Sequence, residues 1–186
     1  MMRTALETPR LILRPFRQED AGDVYEYARD PRVGPIAGWM PHASIEESRE
    51  IIRTVFSRPD VFAMELRQTG KVIGSVGFVG NHPAGEDPMV PDDEVGYALA
   101  PACWGRGLMP EAVKAVLEYG FTQLDFQRIW CGHYAGNWRS KRVMEKCGFR
   151  YQFSRTEFVK LVGETRQSYF YLLTKEGWRE RVSGAV

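Results

Sequence analysis

The chain has 186 residues, and its 25 Lys and Arg against 24 Asp and Glu give a formal net charge of +1. This near-neutral balance argues against nucleic acid or an anionic membrane as the main partner, because both usually need a strong cationic field. Hydrophobic residues make up 44% of the chain, which is enough to bury one core, so we expect a single domain over residues 1–186.

The first third of the sequence predicts one strand and two helices. Residues 11–16, LILRPF, predict the strand, and residues 18–29 carry apolar side chains at helical spacing. Residues 33–43 contain two prolines and two glycines, so we expect a loop there. Ser44 is the expected N-cap of the second helix, because Glu47 follows it at the capping-box position.

The rest of the chain is richer in strands. Residues 61–67 and 71–80 predict a hairpin, residues 92–100 predict a third strand, and Pro110 is the expected first residue of a long helix. The remaining predicted elements are a strand over 128–134, a helix over 137–147 and two final strands over 151–158 and 167–174. This order predicts an α+β domain with a mixed sheet, because a regular βαβ repeat is absent from it.

The most informative segment is residues 99–112, LAPACWGRGLMPEA, in which a strand leads through a Gly-Arg-Gly turn into the long helix. Such a turn directs several backbone N–H groups and the positive end of the helix dipole toward one point. Gly105 and Gly107 let the backbone approach oxygen atoms closely, and Arg106 adds a cation. The segment therefore predicts a diphosphate-binding loop.

Two other phosphate-binding patterns fit this loop poorly. A Walker loop needs a lysine followed by Ser or Thr, and a dinucleotide fingerprint needs a third glycine where Pro110 stands. An ordinary left-handed turn before a helix also accounts for the bare Gly-Arg-Gly pattern. A second segment, NWRSKRVMEKCGF at residues 137–149, follows a predicted strand and favours the diphosphate interpretation.

That segment, together with TPRLILRPF at residues 8–16 and EVGYALAPACWGRGLMPEA at residues 94–112, resembles the GCN5-related N-acetyltransferase (GNAT) superfamily. More narrowly, it resembles the branch that contains the ribosomal-protein-alanine N-acetyltransferases. The resemblance covers essentially the whole chain. It implies a mixed, mostly antiparallel sheet with flanking helices and a splayed parallel strand pair that binds acetyl-CoA.

The resemblance also implies where acetyl-CoA binds. Its pantetheine would lie between the strands over 93–100 and 127–134, with the backbone of Leu99 and the side chain of Asn137 on either side. The expected cofactor-binding residues are Leu99, Trp104, Gly105, Arg106, Gly107, Leu108, Met109, Asn137 and Ser140. Trp104 and Met109 depart from the wider superfamily pattern, although both are usual in the narrower branch.

The implied reaction is attack of a neutral amine on a thioester, which needs a base and a group that stabilises the leaving thiolate. Glu94 is the favoured base and Glu157 is its rival, while a solvated strand-edge charge is the alternative for Glu94. Ser140 is the expected hydrogen-bond donor to the thiolate, with simple helix capping as its alternative. Met144 stands where many relatives carry a proton-donating tyrosine, and a thioether cannot donate a proton.

These features predict an acetyl-CoA-dependent N-acetyltransferase, with a protein N-terminal α-amino group as the favoured acceptor. A small amine such as an aminoglycoside or polyamine is the alternative, and a CoA-binding module without turnover is a third. Glu86, Asp87, Asp92 and Asp93 make the segment before the third strand acidic, which would favour a cationic amine. The sequence leaves a monomer and a homodimer open, and we expect no direct nucleic acid or membrane partner.

Residues 1–10 contain charges and a proline where a secretory signal needs an apolar run, so we expect a cytoplasmic protein. The three cysteines Cys103, Cys131 and Cys147 have no paired spacing, and the three histidines are scattered along the chain. We therefore expect no disulfide framework and no metal site. His133, on an apolar strand, is typical of a hydrogen-bonded core residue.

Overall fold

The computed structural model of the chain describes residues 5–184. The strands are β1 (Leu6–Glu7), β2 (Leu11–Arg14), β3 (Val61–Leu66), β4 (Lys71–Phe78), β5 (Asp92–Leu99), β6 (Arg128–Tyr134), β7 (Arg150–Val159) and β8 (Glu164–Thr174). The helices are α1 (Ala21–Ala28), α2 (Gly34–Ala37), α3 (Ile45–Thr54), α4 (Leu108–Thr122), α5 (Trp138–Cys147) and α6 (Lys175–Ser183). Short 3-10 turns cover Gln18–Asp20 and Pro101–Cys103.

The strands form one sheet in the order β1-β2-β3-β4-β5-β6-β8-β7. Neighbouring strands run antiparallel except β5 and β6, which run parallel. This arrangement confirms the mixed, mostly antiparallel sheet with flanking helices that the sequence predicted. The pairing of β5 with β6 covers only the register from Asp92 opposite Arg128 to Glu94 opposite Trp130. Beyond these residues the two parallel strands separate.

Two hydrophobic clusters cover opposite faces of this sheet. Tyr97 and Leu99 of β5 pack against the larger cluster, to which α4 contributes, whereas Ala98 packs against a smaller cluster built from α1 and α3. Successive strand residues face opposite sides, so α4 and the α1–α3 pair lie on opposite faces. The α4 residues buried at helical spacing are Ala112, Val113, Val116, Leu117 and Phe121.

Local capping signals set the helix boundaries. Ser44 is the N-cap of α3, as predicted, and its Oγ accepts from Glu47 N at 3.1 Å. The Glu47 carboxylate accepts from Ala43 N at 2.5 Å, one residue earlier than in a capping box. Thr174 caps α6 in the same way, with its Oγ1 accepting from Gly177 N at 3.1 Å.

The structure differs from the sequence prediction in several elements. The strand predicted to Phe16 ends at Arg14, because Pro15 has no N–H group to continue the ladder. The predicted loop at 33–43 contains the single-turn helix α2, in whose first turn Pro35 needs no N–H partner. Pro110 is the third residue of α4, since the helix begins at Leu108. Strand β1 and helix α6 were not predicted.

Within residues 5–184, no helix is long and apolar enough to cross a membrane. The same part of the chain contains no group of three or more His, Cys, Asp or Glu side chains that could hold a metal ion. All three cysteines are buried free thiols. Of the N-terminal segment used for the prediction about secretion, residues 1–4 lie outside the described residues.

Candidate active site

The separation of β5 and β6 opens a slot in the middle of the sheet. The strands stay paired as far as Glu94 and Trp130, and a cavity of about 790 Å³ extends between them from this point. Residues of α2 and the N-terminal parts of α4 and α5 complete its walls. The two strands predicted to hold the cofactor therefore border one cavity.

The backbone of β5 directs peptide groups into this slot. The N–H of Ala100 donates to the carbonyl of Ile73 at 2.8 Å, and the carbonyl of Glu94 accepts from Val79 N at 2.9 Å. The even-numbered residues of β5 therefore pair toward β4. Because peptide groups alternate in direction along a strand, those of the odd-numbered residues, including Leu99, point toward the slot. This geometry is compatible with the expected pairing between Leu99 and a ligand.

The Gly-Arg-Gly turn forms an open cradle of backbone N–H groups at the start of α4. Gly105 and Gly107 have φ angles of 74° and 76°, in the left-handed region that glycine adopts without steric cost. Gly107 is the N-cap of α4, and no N–H group from Gly105 to Met109 donates to another atom of residues 5–184. Unpaired N–H groups at a helix N-terminus bind anions, so the cradle fits a diphosphate.

Trp104 ties this turn to the end of β5. Its Nε1 donates to the Leu99 carbonyl at 2.9 Å, and the Arg139 guanidinium lies over its ring, 4.1 Å from the ring centroid. The carbonyl of Leu99 is thus engaged within the protein, which leaves its N–H for a ligand. Trp104 fixes the position of the cradle relative to the slot through this bond.

Three of the positive side chains that line the cavity come from α5, in addition to Arg32 and Arg155. Arg139, Arg142 and Lys146 line it, and their charges suit a polyanionic ligand. Arg106, for which we expected a similar role, is exposed and is not among the lining residues. Its carbonyl accepts from Arg10 Nη1 at 2.8 Å. Contact between Arg106 and the cofactor stays a prediction.

The first turn of α5 brings Asn137 and Ser140 to the wall of the slot. Asn137 is the N-cap, since its Oδ1 accepts from Ser140 N at 3.3 Å. Its side-chain N–H groups donate to no atom of the described chain, so capping leaves them free for a ligand carbonyl. The Ser140 side chain does not cap the helix. Its Oγ lies 2.9 Å from the hydroxyl of Tyr97, and both residues line the cavity.

Glu94 lies on the opposite face of β5 from Tyr97, because the two are three positions apart in one strand. The Glu94 side chain passes over Gly132 of β6. A Cβ atom added at Gly132 would lie only 2.9 Å from Glu94 Oε1, so a larger residue at position 132 would clash with it. Asn81 Nδ2 donates to Glu94 Oε2. Glu157, the rival base, also lines the cavity, so the structure brings both candidate bases to one site.

The two carboxylates differ in their surroundings. Glu157 accepts from Ser168 Oγ at 2.6 Å and from Arg155 Nε at 2.9 Å, so both of its oxygens are engaged. Burial raises the pKa of Glu94, the hydrogen bond from Asn81 opposes this, and the nearby charge of Glu157 raises it further. Glu94 Oε1 has no hydrogen-bond partner in the described part of the chain. A carboxylate with a raised pKa and an available oxygen is the stronger base.

The acidic segment before β5 is partly used by the fold. Asp92 is buried, and Asp93 Oδ1 accepts from the backbone N–H groups of Gly80 and Glu94, both at 2.7 Å. Glu86, by contrast, has an 81% exposed side chain. The negative charge that faces the cavity therefore comes from Glu94 and Glu157, and the predicted acidic entrance contributes little to it.

Three other residues considered from the sequence take structural positions. His133 stacks on Tyr169 with ring centroids 5.1 Å apart, its Nδ1 contacts the Tyr134 carbonyl at 2.9 Å, and burial lowers its pKa. Burial raises the pKa of the Cys131 thiol far above its ordinary range, so it is no thiolate nucleophile. Met144 is fully buried in the larger cluster and is not among the lining residues.

Four residues of the site were not identified from the sequence, namely Tyr97, Gly132, Arg155 and Ser168. All of them line the cavity, and Tyr97 and Arg155 have partners 43 and 72 positions away in the chain, Ser140 and Pro83. Strand alternation was the one available signal, because it places Tyr97 on the face opposite Glu94. The other three become part of the site only through the pairing of β6, β7 and β8.

A splayed parallel strand pair beside an anion-binding helix N-terminus defines the class of CoA-dependent acyltransferases to which the sequence resemblance pointed. A family model described as an acetyltransferase (GNAT) domain matches residues 10–150. The chain therefore belongs to the GNAT family of acetyltransferases, whose acetyl donor is acetyl-CoA.

Individual relatives agree with this assignment. An uncharacterized N-acetyltransferase, p20, of Bacillus licheniformis is 29% identical over 175 residues, covering 91% of this chain and 96% of that protein. A GNAT-family acetyltransferase from Bacillus anthracis has a TM-score of 0.78 at 24% identity, over 93% of this chain and 99% of that one. Ribosomal-protein-S5-alanine acetyltransferase from Vibrio fischeri has a TM-score of 0.71 at 19% identity, covering 94% of this chain and 98% of that one. At these identities the two solved structures support the fold alone.

Gly107→Val is expected to weaken acetyl-CoA binding by at least about tenfold. A β-branched residue in the left-handed region costs about 1–3 kcal/mol, and relief of this strain would move the backbone N–H groups of the cradle. Calorimetric titration with acetyl-CoA measures the affinity. Gly70→Val is the matched control, because Gly70 has a φ of 70°, open surroundings and a place in the β3–β4 turn. Equal affinities of the two variants would remove the cradle from the cofactor site.

Proposed function

We propose that this acetyltransferase transfers the acetyl group of acetyl-CoA directly to a primary amine, with Glu94 as the base and Ser140 as the hydrogen-bond donor to the leaving sulfur. The favoured acceptor is the N-terminal α-amino group of a protein. The observation that supports this reading best is that Glu94 and the Ser140–Tyr97 pair both line the slot, from opposite faces of β5.

The bonds follow from this arrangement. The cationic amine first loses one proton to Glu94 Oε1, which passes it on to solvent. The neutral nitrogen then forms a C–N bond with the thioester carbonyl carbon, the C–S bond breaks, and the second proton of the nitrogen leaves by the same route. The sulfur departs as a thiolate that accepts a hydrogen bond from Ser140. Glu94 and Ser140 act on opposite sides of the same thioester. They do not contact each other, because the sheet separates them.

Glu94 is a better candidate for the base than Glu157. Glu157 is ion-paired with Arg155 and accepts a hydrogen bond from Ser168. Protonation of Glu157 would therefore disrupt one of these two interactions. Glu94 keeps one free oxygen among the described residues, and its raised pKa makes it a stronger proton acceptor. Glu157 contributes by raising that pKa and by attracting a cationic amine.

Glu94→Gln is expected to lower kcat by about 100-fold, the contribution of one positioned base. Because burial raises the Glu94 pKa, protonation of the wild-type carboxylate should begin to reduce kcat at a pH above the ordinary glutamate value of about 4.3. In Glu94→Gln the pH dependence of the residual rate should follow the ionisation of the amine alone. Rates of thiol release at saturating amine, measured across pH, give both results.

Glu157→Gln is the matched control for this experiment, since it removes the other carboxylate of the same cavity. It should retain most of kcat and move the acidic limb to lower pH, because the charge that helps to raise the Glu94 pKa is gone. If Glu157→Gln loses as much kcat as Glu94→Gln does, the assignment of Glu94 as the base is contradicted.

Ser140→Ala is expected to lower kcat by about tenfold, the value of one hydrogen bond to a developing charge, with little change in acetyl-CoA affinity. The cap of α5 survives the substitution, because Asn137 Oδ1 accepts from the backbone N–H of residue 140. Steady-state rates and calorimetric affinities separate the two effects. Parallel losses of rate and affinity would give Ser140 a binding role instead.

Two features support a protein N-terminus as the acceptor. A putative ribosomal N-acetyltransferase, YdaF, of Bacillus subtilis is 27% identical to this chain over 85 residues, which are 46% of each protein. The cavity also carries two carboxylates, Glu94 and Glu157, which favour a cationic amine over a neutral group. A small amine such as an aminoglycoside or polyamine has the same charge, so a direct comparison is needed to separate the two classes.

Thiol release from acetyl-CoA should be measured with peptides that begin with Ala, Ser or Met, and with aminoglycosides, polyamines and free amino acids. We expect turnover with peptides, and none with N-acetylated copies of the same peptides, which lack the reacting amine. Turnover confined to a small amine would replace the protein acceptor with that class. Binding of acetyl-CoA without turnover of any amine would favour a CoA-binding module.

A further inference from the structure

The hydroxyl of Tyr97 lies within a line of three hydrogen-bonding side chains at the floor of the slot. It is 2.9 Å from Ser140 Oγ and 3.3 Å from the Ser140 carbonyl oxygen, and the Cys131 thiol donates to it at 3.8 Å. All three residues line the cavity. They come from β5, α5 and β6, so three separate elements converge on this point.

The direction of the Tyr97–Ser140 bond follows from the chemistry of the two hydroxyls. The phenolic proton of Tyr97 has two acceptors on Ser140, the Oγ at 2.9 Å and the carbonyl oxygen at 3.3 Å, and the shorter distance favours Oγ. A phenol is also a stronger proton donor than an aliphatic alcohol, so Tyr97 donates mainly to Ser140 Oγ and accepts from the Cys131 thiol. The Ser140 hydroxyl then keeps its own proton for another acceptor. Within residues 5–184 no other atom accepts from Ser140 Oγ, so this proton is available to a group in the cavity.

We propose that Tyr97 is a positioning residue that orients the Ser140 hydroxyl, so that Ser140 presents its proton to the sulfur of the departing CoA. The inference rests on the proposed function, because it assigns Tyr97 a role in the same step as Ser140. The three hydrogen bonds then run in one direction, from Cys131 through Tyr97 and Ser140 to the sulfur. Each bond in such a chain polarises the next one.

No proton needs to move along this chain. Burial raises the pKa of Tyr97 well above its ordinary value, whereas an ordinary alkyl thiol has a pKa of about 8.5. A thiolate is therefore too weak a base to deprotonate Tyr97. The chain stabilises the thiolate by hydrogen bonding while the C–S bond breaks, and the sulfur takes its proton from solvent after release. Both amine protons leave through Glu94, so the reaction stays balanced.

Tyr97→Phe tests this inference, because it removes the hydroxyl and keeps the ring against the core. We expect kcat to fall about threefold to tenfold, with the KM for acetyl-CoA and its calorimetric affinity nearly unchanged. The double variant Tyr97→Phe/Ser140→Ala should be no slower than Ser140→Ala alone, since Tyr97 acts only through Ser140. The four kcat values form a double-mutant cycle.

Tyr119→Phe is the matched control. Tyr119 also has a partly buried hydroxyl, which donates to Asp60 Oδ1 at 2.7 Å, and it does not line the cavity. Its kcat should equal that of the wild type, and thermal unfolding of both Tyr→Phe variants reports any loss of stability. A Tyr97→Phe variant with wild-type kcat would overturn the proposal.

The cycle also separates this proposal from the proposed function. If Ser140→Ala retains full kcat, the role of Ser140 itself is wrong. If Ser140→Ala is slow and Tyr97→Phe slows it further by the same factor as in the wild type, Ser140 keeps its role and the positioning role of Tyr97 is refuted. A rise in KM for acetyl-CoA without a change in kcat would likewise refute it.

Discussion

The carboxylate of Asp92 is the contact on which the slot depends. Its side chain is 2% exposed, and it accepts from Trp130 Nε1 at 3.0 Å, pairs with Arg128 Nη2 at 3.0 Å and contacts His82 Nδ1 at 2.6 Å. Arg128 and Trp130 belong to β6, so one buried charge joins the first residues of the two parallel strands. Leaving such a charge without partners is costly, which holds the strands together at this end. Beyond this contact, β5 and β6 can therefore separate while their paired residues keep their register.

This register decides which groups meet across the opening. The parallel pairing sets Glu94 beside Trp130, and two residues further along β6 the missing side chain of Gly132 makes room for the Glu94 carboxylate. Three residues further along β5, Tyr97 faces the other way and meets Ser140. One short strand thus supplies a proton acceptor to one face of the slot and hydroxyl groups to the other. In the proposed reaction, these groups reach the acetyl group from both sides.

Sequence patterns predicted the features that depend on neighbours in the chain. Ser44 could be recognised as a helix start because its capping bond joins residues three positions apart. The start of α4 was predicted two residues late, at Pro110, because its N-cap Gly107 has no side chain to signal it. Periodicity and turn residues predicted the order of most elements, and the family resemblance added the splayed parallel strand pair. The contacts that join distant segments could not be predicted, such as Asp92 with Trp130, 38 positions apart, or Tyr97 with Ser140, 43 positions apart. Asp92 was grouped with an acidic surface because its sequence neighbours are acidic, whereas long-range pairing buries it.

The two halves of the site use different kinds of recognition. The expected site of the acetyl donor consists mainly of backbone groups, namely the N–H cradle that begins at Gly105 and the odd-numbered peptides of β5, and such groups depend on fold and glycine positions. The acceptor side is built from side chains, among them Glu157 and Arg155 on β7, which a few substitutions would change without altering the fold. Family members that share this fold therefore share the acetyl donor, whereas the choice of acceptor depends on the side chains of each protein. In this chain those side chains are two carboxylates, one neutralised by an arginine and one left free, which suits a single cationic amine.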